Sequence, residues 1–162
     1  EQVIAVDVQG DKLAFARQLG ATDTVNASDP DAVEQVKELT KGGVDYAVEL
    51  AGVPAALEAG YAMCRRGGTV VTAGLPRPEA TLDVPIAQLV SDNRTIKGSY
   101  MGSCVPRRDI PRFLSLYRQG KLPVDRLRSG FVDFKGLNAG FDRLAAGDAV
   151  RQVLRPHGTT KV

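Results

Sequence analysis

The chain has 162 residues, 25% charged and 43% hydrophobic, with a formal net charge of +2. That balance suits a globular domain with a sizeable core and gives no electrostatic case for nucleic acid or an anionic membrane surface. No apolar run approaches the ~18 residues that a membrane-spanning helix needs.

Residues 3–7 open the chain with Val3, Ile4, Ala5 and Val6 and stop at Asp7, the pattern of a strand buried on both faces of a parallel sheet. Asp11 is the expected N-cap of the helix that follows, with Leu13, Ala16 and Leu19 at helical spacing and Gly20 at its C-terminal end. Residues 22–26 read as a short strand. Ser28 or Asp29 then caps a helix with Pro30 near its first turn, carrying Val33, Val36 and Leu39 and ending at Gly42 and Gly43. Residues 44–50 are the next strand. Gly52, Val53 and Pro54 start a helix whose buried face is Ala56, Leu57, Gly60, Tyr61 and Cys64.

Gly67 and Gly68 turn the chain into a strand over 69–73, which ends at Gly74, Leu75 and Pro76. A short helix is expected over 84–90 and a fifth strand over 95–101. Ile110, Phe113, Leu114 and Tyr117 mark an amphipathic helix; Pro111 fits only in a first turn, so the start is expected near Asp109. Residues 131–134 alternate like a half-exposed antiparallel strand. Residues 137–146 read as a helix closed by Gly147, and 149–154 as a last short strand. The tail 156–162 reads as loosely ordered.

Strands alternating with helices of about ten residues imply an α/β fold with a doubly wound parallel sheet, Rossmann-like, whose β-to-α turns line a ligand crevice at the carboxyl ends of the strands. In nucleotide-binding folds of this kind an acid ending the second strand accepts hydrogen bonds from the adenosine ribose hydroxyls, and Asp7 stands in that position. The competing role is capping the next helix, which Asp11 is expected to fill better. The glycine-rich loop that should precede such an acid by about 20 residues is not in the sequence, so the sheet is expected to lack its first strand and that loop. A chain opening at Glu1 inside a structural element is expected to have lost its true N-terminus. Cys64 and Cys104 read most simply as two thiols of a reduced, cytoplasmic protein.

Three segments together resemble the zinc-dependent branch of the medium-chain alcohol dehydrogenases. The first is Ile4, Ala5, Val6 and Asp7 with Asp11, Lys12, Leu13, Ala16, Arg17, then Leu19 to Thr22 and Val25 and Asn26. The second is Gly42, Gly43, Val44, Asp45, Tyr46, Ala47, Val48 and Glu49 with Gly52, followed by Arg66 to Val71 and by Gly74, Leu75 and Pro76. The third is Ile96 to Gly102, then Ala139 to Leu144, Gly147, Asp148 and Val150 to Leu154. They follow one another in the family's order and span nearly the whole chain.

The resemblance implies a two-domain enzyme of which this chain is the cofactor-binding part: an incomplete NAD-binding domain over 1–102, and a segment over 103–162 that packs on it and returns to the catalytic domain. Asp7 would hold the adenosine ribose and favour NAD over NADP, with Lys12 contacting the same ribose or standing as a surface lysine. Ala51 and Gly52 would let the backbone pass close to the cofactor, though Gly52 alone also reads as a helix-start glycine. Backbone groups of Ala73, Gly74 and Leu75 would bind the nicotinamide carboxamide. Tyr100 and Met101 would end a strand beside the nicotinamide, their side chains serving equally as core, and Arg151 would reach the pyrophosphate or remain a surface arginine.

No residue of the chain is expected to be catalytic, and none to bind metal: Cys64, Cys104 and His157 are isolated, and the family's zinc ligands fall outside the matched part. The arginines 107, 108, 112, 118, 126 and 128, interspersed with Asp109 and Asp125, read as a solvated face. The implied activity of the complete protein is NAD-dependent, zinc-dependent oxidation of a small alcohol or reduction of an aldehyde. A homo-oligomer would form through the edge strand near Thr95 to Met101. The alternatives are a zinc-independent quinone reductase of the same superfamily and a non-catalytic dimerising nucleotide-binding module. Without the central strand, the sheet is expected to close by direct pairing of the first strand with that at 44–50, or to be filled by another chain.

Overall fold

The computed structural model describes residues 1–157. They form two compact units that divide between Ser103 and Cys104.

In the first unit, strand β1 (Ile4–Asp7) is followed by helix α1 (Gly10–Leu19) and strand β2 (Asp23–Asn26). The two strands are parallel, with Ile4 opposite Asp23 and Asp7 opposite Asn26. Helix α1 ends at Gly20, whose φ of 116° is a left-handed conformation that closes the last turn by donating to the carbonyls of Ala16 and Arg17. Its start differs from expectation. The N-cap is Gln9, Asp11 lies inside the first turn, and it is the Asp7 carboxylate that accepts the Gln9 N–H at 2.9 Å. Helix α2 (Ala32–Leu39) begins later than Ser28 or Asp29, with Asp31 as its N-cap, because residues 27–31 are taken up by a turn in which Asn26 Oδ1 accepts the Ser28 N–H.

Strand β3 (Val44–Glu49), helix α3 (Pro54–Met63), strand β4 (Cys64–Thr72), helix α4 (Ile86–Ser91) and strand β5 (Thr95–Gly98) complete the unit. Their strands form a parallel sheet in the order β3-β4-β5. Gly67 and Gly68 lie inside β4 rather than in a turn before it. The strand starts directly at Cys64 and bulges, so that Val44 pairs with Cys64 while Tyr46 already pairs with Thr69. Strand β5 stops at Gly98, three residues short of expectation: Met101 turns into a left-handed conformation (φ 48°, ψ 36°), which ends the ladder to β4 at Thr72 opposite Gly98.

One face of this unit carries the core. Val25, Ala32, Val36 and Met63 are buried together with Ile4 and Val44 packed on them, and Tyr61, Cys64 and Val70 form a second cluster with Leu57, Leu89 and Ile96. The expected pairing of β1 with β3 does not occur. Among the described residues, β1 is hydrogen-bonded only to β2, and β3 only to β4. The two ladders are joined instead through the helical layer, where α2 meets α3 over Ile4 and Val44. Tyr46 and Val48, on the other face of β3, are 72% and 64% exposed, so this face has no cover within the unit.

In the second unit, helix α5 (Pro106–Arg118) is followed by strand β6 (Arg128–Val132), helix α6 (Leu137–Ala146) and strand β7 (Arg151–Leu154). Helix α5 starts three residues before Asp109, which leaves Pro111 inside the helix. The reason is the Asp109 side chain: it reaches back to accept the Val105 N–H at 2.8 Å, so it closes the first turn from within rather than standing in front of it. Strand β6 is parallel to β7, not antiparallel to a neighbour, with Phe131 opposite Val153. A strand–helix–strand crossover through α6 returns the chain in the same direction. The expected loose tail falls mostly outside the described residues.

The Arg108 guanidinium, with the Val105 N–H, holds the Asp109 carboxyl well below the usual carboxylate range. A depressed pKa contributes stability that is present above the unfolded value of about 4 and is lost as pH falls through the folded one. Far-ultraviolet circular dichroism of the chain from about pH 5 down to about pH 1 should therefore show a loss of helix that is smaller in Asp109→Asn, measured from each protein's own value at the starting pH. Identical titrations of the two proteins would refute the role given to this carboxylate.

Candidate functional site

Asp7, Ala51, Gly52 and Ala73 to Leu75 lie at or just beyond the carboxyl ends of parallel strands, which is where ligands bind open α/β sheets. Asp7 closes β1, half-buried, with one carboxylate oxygen engaged by the Gln9 N–H. It therefore does serve the helix entry, a role expected of Asp11, which instead accepts the Lys12 N–H. Lys12 itself is half-buried in the first turn of α1.

Ala51 and Gly52 form the turn from β3 into α3, and Ala73, Gly74 and Leu75 leave β4. The structure brings these two turns into direct contact. A Cβ added to Gly52 would lie 3.0 Å from the carbonyl carbon and oxygen of Leu75, and one added to Gly74 would lie 2.5 Å from the Gly52 Cα. Gly52 has a φ of 69°, outside the range that side-chain-bearing residues readily adopt. Gly52 is therefore set by the Leu75 backbone and Gly74 by the Gly52 backbone, a constraint separate from any ligand. Leu75 is 79% exposed beyond the contact.

Tyr100 and Met101 fall outside β5 and are exposed, so their side chains are not core. Arg151 is the first residue of β7 in the second unit and is exposed.

Sequence reasoning assigned no role to Glu49 and Thr72. Glu49 ends β3 and is 7% exposed. Its Oε1 accepts the Gly52 N–H and its Oε2 accepts the Thr72 hydroxyl, both at 2.6 Å. The two residues, with Gly52, Leu57 and Pro76, line a cavity of about 80 Å³ between the turns. The available signal was a carboxylate at the very end of a strand, three residues before a glycine.

The fit to a dinucleotide is one of placement: a carboxylate at the end of β1 for ribose hydroxyls, and two glycine turns presenting backbone at the ends of β3 and β4. Zinc does not fit. Among the described residues no three of His, Cys, Asp and Glu are grouped so as to hold a metal. Burial pushes the pKa of the Cys64 thiol up, and its Sγ donates to the Gly60 carbonyl at 3.3 Å. Such a thiol is a core group, not a ligand.

Residues 2–119 match the family described as zinc-binding dehydrogenase. The chain is 32% identical over 157 residues to alcohol dehydrogenase 1 of Oryza sativa subsp. indica, covering 95% of this chain and 41% of that protein. Benzyl alcohol dehydrogenase from Acinetobacter calcoaceticus superposes with a TM-score of 0.90 at 33% identity, over 95% of this chain and 42% of that one. A zinc-binding dehydrogenase from Sinorhizobium meliloti 1021, solved bound to NADP, superposes with a TM-score of 0.84 at 27% identity, over 96% and 45%. The chain thus spans about two fifths of the length of these relatives.

Proposed function

The chain belongs to the zinc-binding dehydrogenase family, and on that premise we propose that it is the cofactor-holding portion of an NAD-dependent alcohol dehydrogenase. The observation that carries the choice of NAD is Asp7 at the carboxyl end of β1. A carboxylate there accepts hydrogen bonds from both ribose hydroxyls and repels a 2′-phosphate. NAD, when bound, supplies the hydride acceptor for oxidation of the alcohol carbon. The chain's own residues bind and orient it. Asp7 holds the adenosine end with Lys12 beside it, backbone groups of Ala73, Gly74 and Leu75 hold the carboxamide, and the tight packing of Gly52 on Gly74 keeps that backbone in place. Tyr100 and Met101 contribute backbone only.

No acid–base group for the reaction is assigned to this chain, and the zinc dependence is proposed for the whole protein rather than for these residues. The whole protein is further proposed to be cytoplasmic and to form homo-oligomers through β5. The isolated chain should give no turnover of a primary alcohol with NAD; measurable turnover would overturn that assignment. In a titration with NADH and NADPH, Asp7→Gly should weaken NADH about 10- to 100-fold, the loss of charge-assisted hydrogen bonds worth about 1.5–3 kcal/mol, and leave NADPH equal or tighter. A variant that kept its preference for NADH would remove Asp7 from the site.

A further inference from the structure

The described residues include two buried carboxylates, Glu49 and Asp109. Asp109 closes the first turn of α5, whereas Glu49 spans two elements. A buried carboxylate is costly unless its oxygens are hydrogen-bonded, and truncating such a group leaves its partners unpaired. Here both oxygens are engaged across the crevice floor: Oε1 by the N–H of Gly52 in the turn after β3, and Oε2 by the hydroxyl of Thr72 at the end of β4. The same two turns touch through Gly52 and Gly74, and the Ala73 N–H donates to the Glu49 carbonyl at 2.9 Å. Side chain and main chain of Glu49 thus hold one turn against the other.

We propose that Glu49, acting through Thr72, is a positioning residue that fixes the backbone of residues 73–75 for the nicotinamide end of the cofactor. This rests on the nucleotide-binding reading above. The adenosine end is served by β1, which shares no ladder with β3 or β4. A fault in this clamp should therefore reach one end of the dinucleotide and spare the other.

The variants are Thr72→Val, which keeps shape and removes the hydroxyl, Glu49→Leu, which removes both acceptors, and Glu49→Gln. The glutamine amide can accept from Gly52 and donate to Thr72 Oγ1, so it should act as the rescue. In the nucleotide-free chain, amide hydrogen exchange at Gly52 and Ala73 should speed up in Thr72→Val and Glu49→Leu, while Val25, Val70 and Val71 keep their protection. In titrations with NADH and with ADP-ribose, the same two variants should weaken NADH about tenfold and ADP-ribose by no more than about twofold, a difference near 1 kcal/mol, and Glu49→Gln should restore both. Equal weakening of the two ligands, or exchange spreading through β3, β4 and β5, would reduce Glu49 to a general support of the fold and overturn the proposal. So would unchanged exchange with unchanged affinities. If the unaltered chain bound neither ligand, the nucleotide reading would fall, and the positioning role with it.

Discussion

Gly74→Ala should cost the first unit about 3 kcal/mol or more, a size reached only when added atoms meet a part of the structure that cannot move aside. The new methyl carbon would sit against the Gly52 backbone, nearest its nitrogen and 2.5 Å from its Cα. Neither is the end of a flexible side chain. To make room, the turn after β3 must lift away from the turn after β4, and Glu49 then loses its hold on Gly52 or Thr72. The control is Gly20→Ala. Gly20 has a positive φ, which Gly74 does not, but nothing lies within 4 Å of an added Cβ, so the cost is backbone strain alone, about 1 kcal/mol. Urea unfolding followed by circular dichroism would separate the two. A Gly74→Ala midpoint no lower than that of Gly20→Ala would show that the two turns are not in fixed contact.

That contact bears on how a glycine in such a sequence is to be understood. Gly52 reads from the sequence as a small residue that lets the backbone pass a cofactor, and Gly74 as part of a backbone segment that binds one, and a sequence offers no means of telling a ligand's demand from a neighbour's. The turns meet only once β3 and β4 have paired, so the constraint belongs to tertiary structure. The same holds for Asp7 and Asp11. Both precede or enter α1 at plausible capping distance, and which one meets an orphan N–H depends on the path of residues 8–10.

The strand–helix alternation was legible throughout, because hydrophobic periodicity and glycine stops are local signals. Element boundaries and directions were less so. Alternation at Phe131 and its neighbours records that one face is half-exposed; it carries no direction. The parallel pairing of β6 with β7 follows only from the crossover through α6. The start of α5 was misplaced by the rule that proline avoids helix interiors, since the competing signal, a carboxylate at Asp109 reaching back to Val105, acts through a side chain. The failure of β1 to pair with β3 has a related cause. Strand composition marks β1 as a buried type but names no neighbour for it, and the two ladders meet through α2 packing on α3.

The other large effect lies at the opposite end of the sheet. The Arg94 side chain, 8% exposed, donates from Nη1 to the Tyr61 carbonyl at 2.9 Å, pairs through Nη2 with Asp92 at 3.2 Å, and stacks over the Tyr61 ring at 4.9 Å. It ties the end of α3 to the C-terminal cap of α4 and the entry to β5, and the Asp92 carbonyl in turn accepts the Gly67 N–H in the β4 bulge. Arg94→Ala strips Asp92 and the Tyr61 carbonyl of this partner at once and should cost about 3 kcal/mol, the usual scale for breaking a buried ion pair from one side. Arg94→Lys should recover less than half of it, because a single ammonium cannot serve the carboxylate and the carbonyl in the fixed geometry of a guanidinium fork. The same cluster also holds a surplus polar group. Tyr61 Oη is buried with no hydrogen-bond partner among the described residues. Tyr61→Phe keeps the ring under Arg94 and removes the unpaired hydroxyl, so its stability should be equal to that of the unaltered chain or up to about 1 kcal/mol greater. Thermal unfolding of the three variants decides the matter: a strongly destabilised Tyr61→Phe would mean that the hydroxyl does have a partner, and a harmless Arg94→Ala would mean that α3, α4 and β5 hold together without the clamp.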